Sequence, residues 1–273
     1  MGDLGILCGM EVERRLSCRS RGEPFEIESD RGLVLALEAL DGAFGSIRPP
    51  AAIDCCPHCE KAHDYAPLLT RPRQQLTGTE LGAYAFSVLN TVGSAADLHY
   101  LTGRILQLLH SDDSRMPDIE VFYDKLHRAG WTSWPQAEAI GAVFDALWHD
   151  LLTRDSSHES VETLLCALGL AEDTIAPRLS RWADLDCDIA VRRLYEFVTW
   201  GCRQKDGLLL PCNTFWNRAL PTYRELVVWL NEGPALCAVT AAFDRYDDPH
   251  LLEVVAGIHG LLVMSGHEHD HIA

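Results

Sequence analysis

The residues with the clearest capacity for chemistry lie in the segment IDCCPHCEKAHDY, where Cys55, Cys56, Cys59 and His63 fall within nine positions. Cys56 and Cys59 have C-x2-C spacing, which presents two thiolates to one ion. His63 follows after three intervening residues, and Cys55 is a spare thiolate. Zinc takes four tetrahedral sulfur or nitrogen ligands, so these four side chains are a candidate zinc site. One C-x2-C pair is only half of the usual zinc pattern. The competing reading is a set of thiols packed where a loop meets a helix. A thioredoxin-like redox pair fits less well, since no βαβ pattern surrounds the segment. A second metal-binding candidate is the stretch GHEHDHIA, where His267, His269 and His271 alternate with acids and would share one side of an extended chain.

His–Asp doublets at His63–Asp64, His149–Asp150 and His269–Asp270 raise a metal-dependent phosphohydrolase as an alternative, with His99, His110 and Asp112 as further ligands. Adjacent residues on a helix point about 100° apart, so such a doublet needs help from facing helices. No G-x-S-x-G elbow, phosphate-binding P-loop or dinucleotide glycine fingerprint is present. The expectation is therefore a protein that binds rather than catalyses.

Charge says what it would bind. The formal net charge is −17. A nucleic acid partner is disfavoured, because phosphate recognition needs a basic surface. A basic protein partner is favoured, steered by the acidic field. The candidate contact residues are Asp112, Asp113, Asp118, Glu120 and Asp124, gathered where one helix begins. Acids also stabilise a helix N-terminus by themselves, which is their structural explanation. The concrete expectation is an acidic helical scaffold, such as an immunity-type inhibitor of a basic bacterial toxin domain.

The elements that position these groups are helical. Ile119, Phe122, Tyr123 and Leu126 recur at helical spacing, and so do Ala137, Ile140, Phe144, Leu147, Trp148 and Leu151. The W-x-x-W-P turn between them, Trp131 to Pro135, makes a helical hairpin. Pro117 suits a first helical position, Gly130 a left-handed cap, and Ser133 with Gln136 a capping box. Thr77 with Glu80 and Ser156 with Glu159 have the same box spacing. The segment 201–217 reads as a long connection. Repeated through 273 residues, this grammar predicts an all-α chain: an irregular α/α superhelix or multi-helix bundle of about 10–11 helices with little or no strand. The domain plan is an irregular N-terminal arm over 1–31, with one short strand near Phe25–Ile27, a single helical domain over 32–264 and a His-rich tail over 265–273.

Hydrophobic residues make up 47% of the chain, enough for a sizeable core, but no apolar run reaches the roughly 18 residues of a membrane span. The first residues lack the basic start of a secretory signal, and Ile6 does not suit myristoylation at Gly2. Ten cysteines without a secretory signal point to a reducing cytoplasm.

Several segments resemble a family of uncharacterised all-helical bacterial proteins: the CPHC element, LTGTELGAYAFSVLNTVGSAADLHYLTGRILQLL, KLHRAGWTSWPQAEAIGAVFDALWHDLL and FWNRALPTYRELVVWL. The resemblance covers about residues 33–262. It departs at Asp97–Arg104, where an aromatic-rich D-F-x-x-F-L-P-R turn is expected. It implies the helical fold and no activity.

Overall fold

The computed structural model describes residues 26–56, 58, 65–111, 114–155, 157 and 159–266. Its elements, in order, are α1 (Glu26–Phe44), α2 (Pro67–Thr70), α3 (Gly78–Ser87), α4 (Ala95–Leu109), α5 (Ile119–Arg128) and α6 (Ala137–Thr153). They continue with α7 (Val161–Ala171), α8 (Ala176–Ala183), α9 (Asp188–Glu196), β1 (Cys202–Lys205), β2 (Leu208–Pro211), α10 (Pro221–Asn231), α11 (Pro234–Ala242) and α12 (Pro249–Gly266). The chain is all-α, with one two-stranded hairpin among the described residues.

The capping signals set several boundaries. At α3, Thr77 and Glu80 form the expected capping box. At α4, Ser94 and Asp97 form another. Gly130 is left-handed, at φ 70°. Others differ. Pro117 stands before α5, whose cap is Asp118. Ser133 bonds back to the Gly130 carbonyl at 2.7 Å, because Trp131–Ser133 forms a tight 3-10 turn. Gln136 is thereby freed to meet His99 Nε2 at 2.8 Å. Ser160, whose side chain accepts from the Thr163 amide, caps α7, and Ser156 lies outside the described residues. The strand expected near Phe25–Ile27 is replaced by helix from Glu26 onward.

The expected hairpin is looser than a packed helix pair: α5 and α6 touch through Tyr123 stacked on Phe144 at 4.7 Å, and their main packing partners lie elsewhere. α5 and α6 are joined by the tryptophan turn, and each finds a further partner: α5 packs on α7, and α6 on α1 and α9. In the second half of the chain α12 packs on both α9 and α11, and α10 packs on α8 and α11. Buried residues from Leu40 to Leu262 make one continuous cluster. At its centre Trp182 of α8 stacks on Trp229 of α10, with centroids 5.6 Å apart, and meets Trp148 of α6 edge-on at 5.5 Å. The indole N–H groups are satisfied by backbone: Trp148 donates to the Arg178 carbonyl and Trp182 to the Ala190 carbonyl, both at 3.1 Å. No described helix is long and apolar enough to cross a membrane.

Candidate functional site: an acidic double-loop face

Two loops meet at one end of α8, α9, α11 and α12. The first, Asp184-Leu185-Asp186-Cys187-Asp188, alternates strictly. Leu185 and Cys187 are buried at 1% and 4% exposure, while the three aspartates are exposed. Leu185 takes a positive φ of 42°, an uncommon state for a branched residue. The second loop, Phe243 to Asp248, holds it there. Arg245 Nη1 donates to the Asp184 and Leu185 carbonyls, and the Tyr246 hydroxyl donates to the Leu185 carbonyl. Asp244, Asp247 and Asp248 are exposed as well, so the two clamped loops together carry six exposed aspartates.

Six carboxylates here oppose three guanidiniums. Arg181 pairs with Asp184 and Asp186 at 3.1 and 3.0 Å, and Arg192 approaches Asp188 at 3.9 Å. With Arg245, the face keeps a formal charge of −3. Tyr246 senses this field. Burial, first, and Cys187, Asp186 and Asp188 raise its pKa to about 12, against the opposing pull of Arg245. Helix chemistry explains part of the set. Asp188 lies in the first turn of α9. Asp248 Oδ1 accepts from the Leu251 amide at 3.0 Å, and that bond holds its carboxyl below the usual range. Asp184, Asp186, Asp244 and Asp247 have no such capping bond. Phe243, 38% exposed and edge-on to His259 at 5.8 Å, supplies an aromatic at the border. An aromatic anchor beside polar groups is the usual anatomy of a protein contact.

Of the acids singled out from sequence, three are described: Asp118, Glu120 and Asp124. Asp112 and Asp113 lie outside the described residues. Asp118 is exposed at the start of α5, and Asp124 pairs with Arg128 at 3.5 Å. Glu120 points inward, only 4% exposed, and accepts from Asn213 Nδ2 at 2.9 Å. That position makes it part of the packing of α5 against α7 and the loop after β2, and not a contact residue. Burial, and then Glu120 itself, hold Glu162 of α7 above the usual carboxylate range.

Of the zinc candidates, Cys59 and His63 lie outside the described residues, as do His267, His269 and His271 of the tail. Cys55 and Cys56 are half-buried on a short extended stretch, with a bridge between Cys55 and Val92 and a 2.8 Å bond from the Cys56 amide to the Thr91 carbonyl. Successive side chains on extended backbone point to opposite sides, so the two thiols diverge. Among the described residues, no three His, Cys, Asp or Glu side chains are placed to hold a metal.

Of the phosphohydrolase candidates, His63, Asp64, Asp112, His269 and Asp270 lie outside the described residues, and His110 and Asp150 line one cavity while His99 stands apart. His149 is exposed, and Asp150 pairs with Arg154 at 2.9 Å. His99 and His110 lie at opposite ends of α4, about 16 Å apart at 1.5 Å per residue. His99 is stacked near Trp134, whereas His110 Nε2 shares a 2.9 Å hydrogen bond with the Tyr123 hydroxyl. A cavity of about 170 Å³ beside His110, Ser111 and Asp150, and another of about 230 Å³ beside Glu120, Asp124 and Phe215, are lined by described residues. Both fall short of the roughly 300–1,000 Å³ of ordinary ligand pockets.

Burial lowers the pKa of His110 to about 4. The unfolded chain therefore binds this proton first as pH falls. Stability should be fully present above about pH 6.5 and decline towards pH 4, by at most about 1.4 kcal/mol per unit from this group. Urea midpoints measured across that window for the protein and for His110→Asn check it. The substitution should flatten the slope; parallel slopes would refute the assignment.

Comparison with protein-family models, curated proteins and solved structures gives no match.

Proposed function

We propose that this protein is a non-enzymatic helical scaffold that binds a basic protein partner through the acidic double-loop face. The observation that carries the reading is the clamp between the loops: Arg245 and Tyr246 fix a backbone that holds four uncapped aspartates outward beside Phe243. A clamped, pre-ordered surface loses little entropy on binding. An acidic surface raises the encounter rate of a basic partner. An immunity-type inhibitor covering a basic toxin domain, such as a nuclease, is the concrete form.

The test is capture from the native host with the protein and with its Asp184→Asn/Asp186→Asn/Asp244→Asn/Asp247→Asn variant, with metal content read from the same eluates. A basic partner should bind stoichiometrically, elute with salt, and associate about tenfold more slowly with the variant. Equal retention by both proteins, or a tightly held metal and no partner, would overturn the reading.

A further inference from the structure

A second surface has the opposite charge. β1 and β2 form a hairpin closed by Asp206 and Gly207, both left-handed at φ 52° and 71°, the pattern of a two-residue turn. The register pairs Cys202 with Pro211, Arg203 with Leu210, Gln204 with Leu209 and Lys205 with Leu208. In antiparallel pairs, facing residues alternate between exchanging both bonds and turning both groups outward. Leu209 turns outward, and the amide of Asn231 on α10 closes that edge: Leu209 N–H donates to Oδ1 at 2.8 Å, and Nδ2 donates to the Leu209 carbonyl at 3.0 Å. By the same parity, the backbone groups of Gln204, opposite Leu209, point out from the free edge of β1. Gln204 is exposed, and among the described residues no further strand pairs with this edge.

Arg203 and Lys205 flank this opening. Both are exposed, and neither holds an ion pair among the described residues. In a chain of charge −17 that is a local reversal of sign. At the base of the hairpin, on the π-helical turn Phe197–Gly201, stands Trp200 with 76% of its surface exposed. π-helical turns recur at functional sites. Charged residues on an edge strand also serve to prevent strand-to-strand aggregation. That role explains Arg203 and Lys205 but gives no reason to leave an indole in water beside them.

We propose that the free edge of β1, with Trp200, Arg203 and Lys205, docks an extended acidic segment of a partner protein. The segment adds a strand at Gln204, sets carboxylates two residues apart against Arg203 and Lys205, and covers Trp200 with an apolar side chain. A second copy of this hairpin is a poor occupant, since it would bring like charges together. A single-stranded nucleic acid would use the indole and the cations but not the strand edge. The edge is short, so Trp200 and the two cations carry most of the affinity. This surface is independent of the acidic loop face.

The probe is an eight-residue peptide of alternating Glu and Val, titrated into the full chain while tryptophan emission is read. Trp200→Phe isolates the signal, and circular dichroism checks that the exposed substitutions leave the fold intact. A saturable blue shift should appear, vanish in Trp200→Phe, weaken about tenfold with Arg203→Glu/Lys205→Glu, and weaken again when the peptide amides are methylated. No saturable shift at millimolar peptide would overturn the proposal. So would a shift produced by oligothymidylate instead of the peptide, or by raising the protein concentration alone.

Discussion

Trp182→Ala should lower the unfolding free energy by about 3–5 kcal/mol, the range for truncating a buried aromatic. The side chain is fully buried where α6, α8 and α10 converge, against Trp148, Trp229 and Phe197. Alanine leaves a large cavity walled by three aromatic rings, each on a different element, so the site has little freedom to collapse. It also removes the indole donor to the Ala190 carbonyl, which keeps its helical bond within α9, so the cavity carries most of the cost. Urea titration should show a lower midpoint at an unchanged slope. Trp200→Ala is the control: the same chemical change on the exposed indole should stay within about 0.5 kcal/mol. If the two substitutions cost the same, the tryptophan stack is not the centre of the core.

This contrast also shows what was legible in the sequence. Trp148, Trp182, Trp200 and Trp229 all stand near helix ends. Periodicity places Trp148 with Phe144 and Leu151 on an inward stripe, because those positions repeat at helical spacing. It cannot show that Trp148, Trp182 and Trp229 meet in one stack, since that depends on how three helices cross. Nor does it separate Trp200, which lies on a π-helical turn that breaks the period. The hairpin had a local signal, Asp206-Gly207 between Cys202–Lys205 and Leu208–Pro211. It was masked because four-residue strands are too short for alternation to stand out. The acidic face had one too: in Asp184-Leu185-Asp186-Cys187-Asp188, apolar residues alternate with aspartates, the mark of an extended segment with one side buried. What stayed illegible was the partner loop, 60 residues on, whose Arg245 and Tyr246 turn that segment into a surface. Glu120 failed for the complementary reason. Sequence marks a helix start rich in acids, but only the packing of α5 on α7 decides which acid faces inward.

Arg178→Met should destabilise the fold by about 3–5 kcal/mol, and the double variant Arg178→Met/Glu172→Leu should recover most of that loss. Arg178 is buried on α8. Its Nη2 and Nε donate to the two oxygens of Glu172 at 2.6 and 3.2 Å, and its Nη1 donates to Asp145. Asp145 is 73% exposed, so solvent screens that arm and its loss matters little. Glu172 is the costly partner. Burial already raises its pKa, and the guanidinium is what draws it back down. Without Arg178, Glu172 must either stay charged in a buried site or take up a proton. The sign follows directly. A carboxyl whose folded pKa lies above its unfolded value binds a proton preferentially in the folded state, so stability rises as pH falls through that raised pKa. The deficit of Arg178→Met should therefore be largest at neutral pH and shrink towards pH 4, while the double variant shows no such dependence. Unfolding curves of the four proteins of this cycle, taken at pH 7 and pH 5, measure both effects. A pH-independent loss would assign the cost to the packing of the arginine stem instead. That stem lies over a backbone whose carbonyl also receives the Trp148 indole, so the ion pair and the tryptophan stack share one turn of α8. The coupling energy from the cycle then reports the charge pair alone, and the residual loss in the double variant reports how far that turn depends on the long side chain for its position.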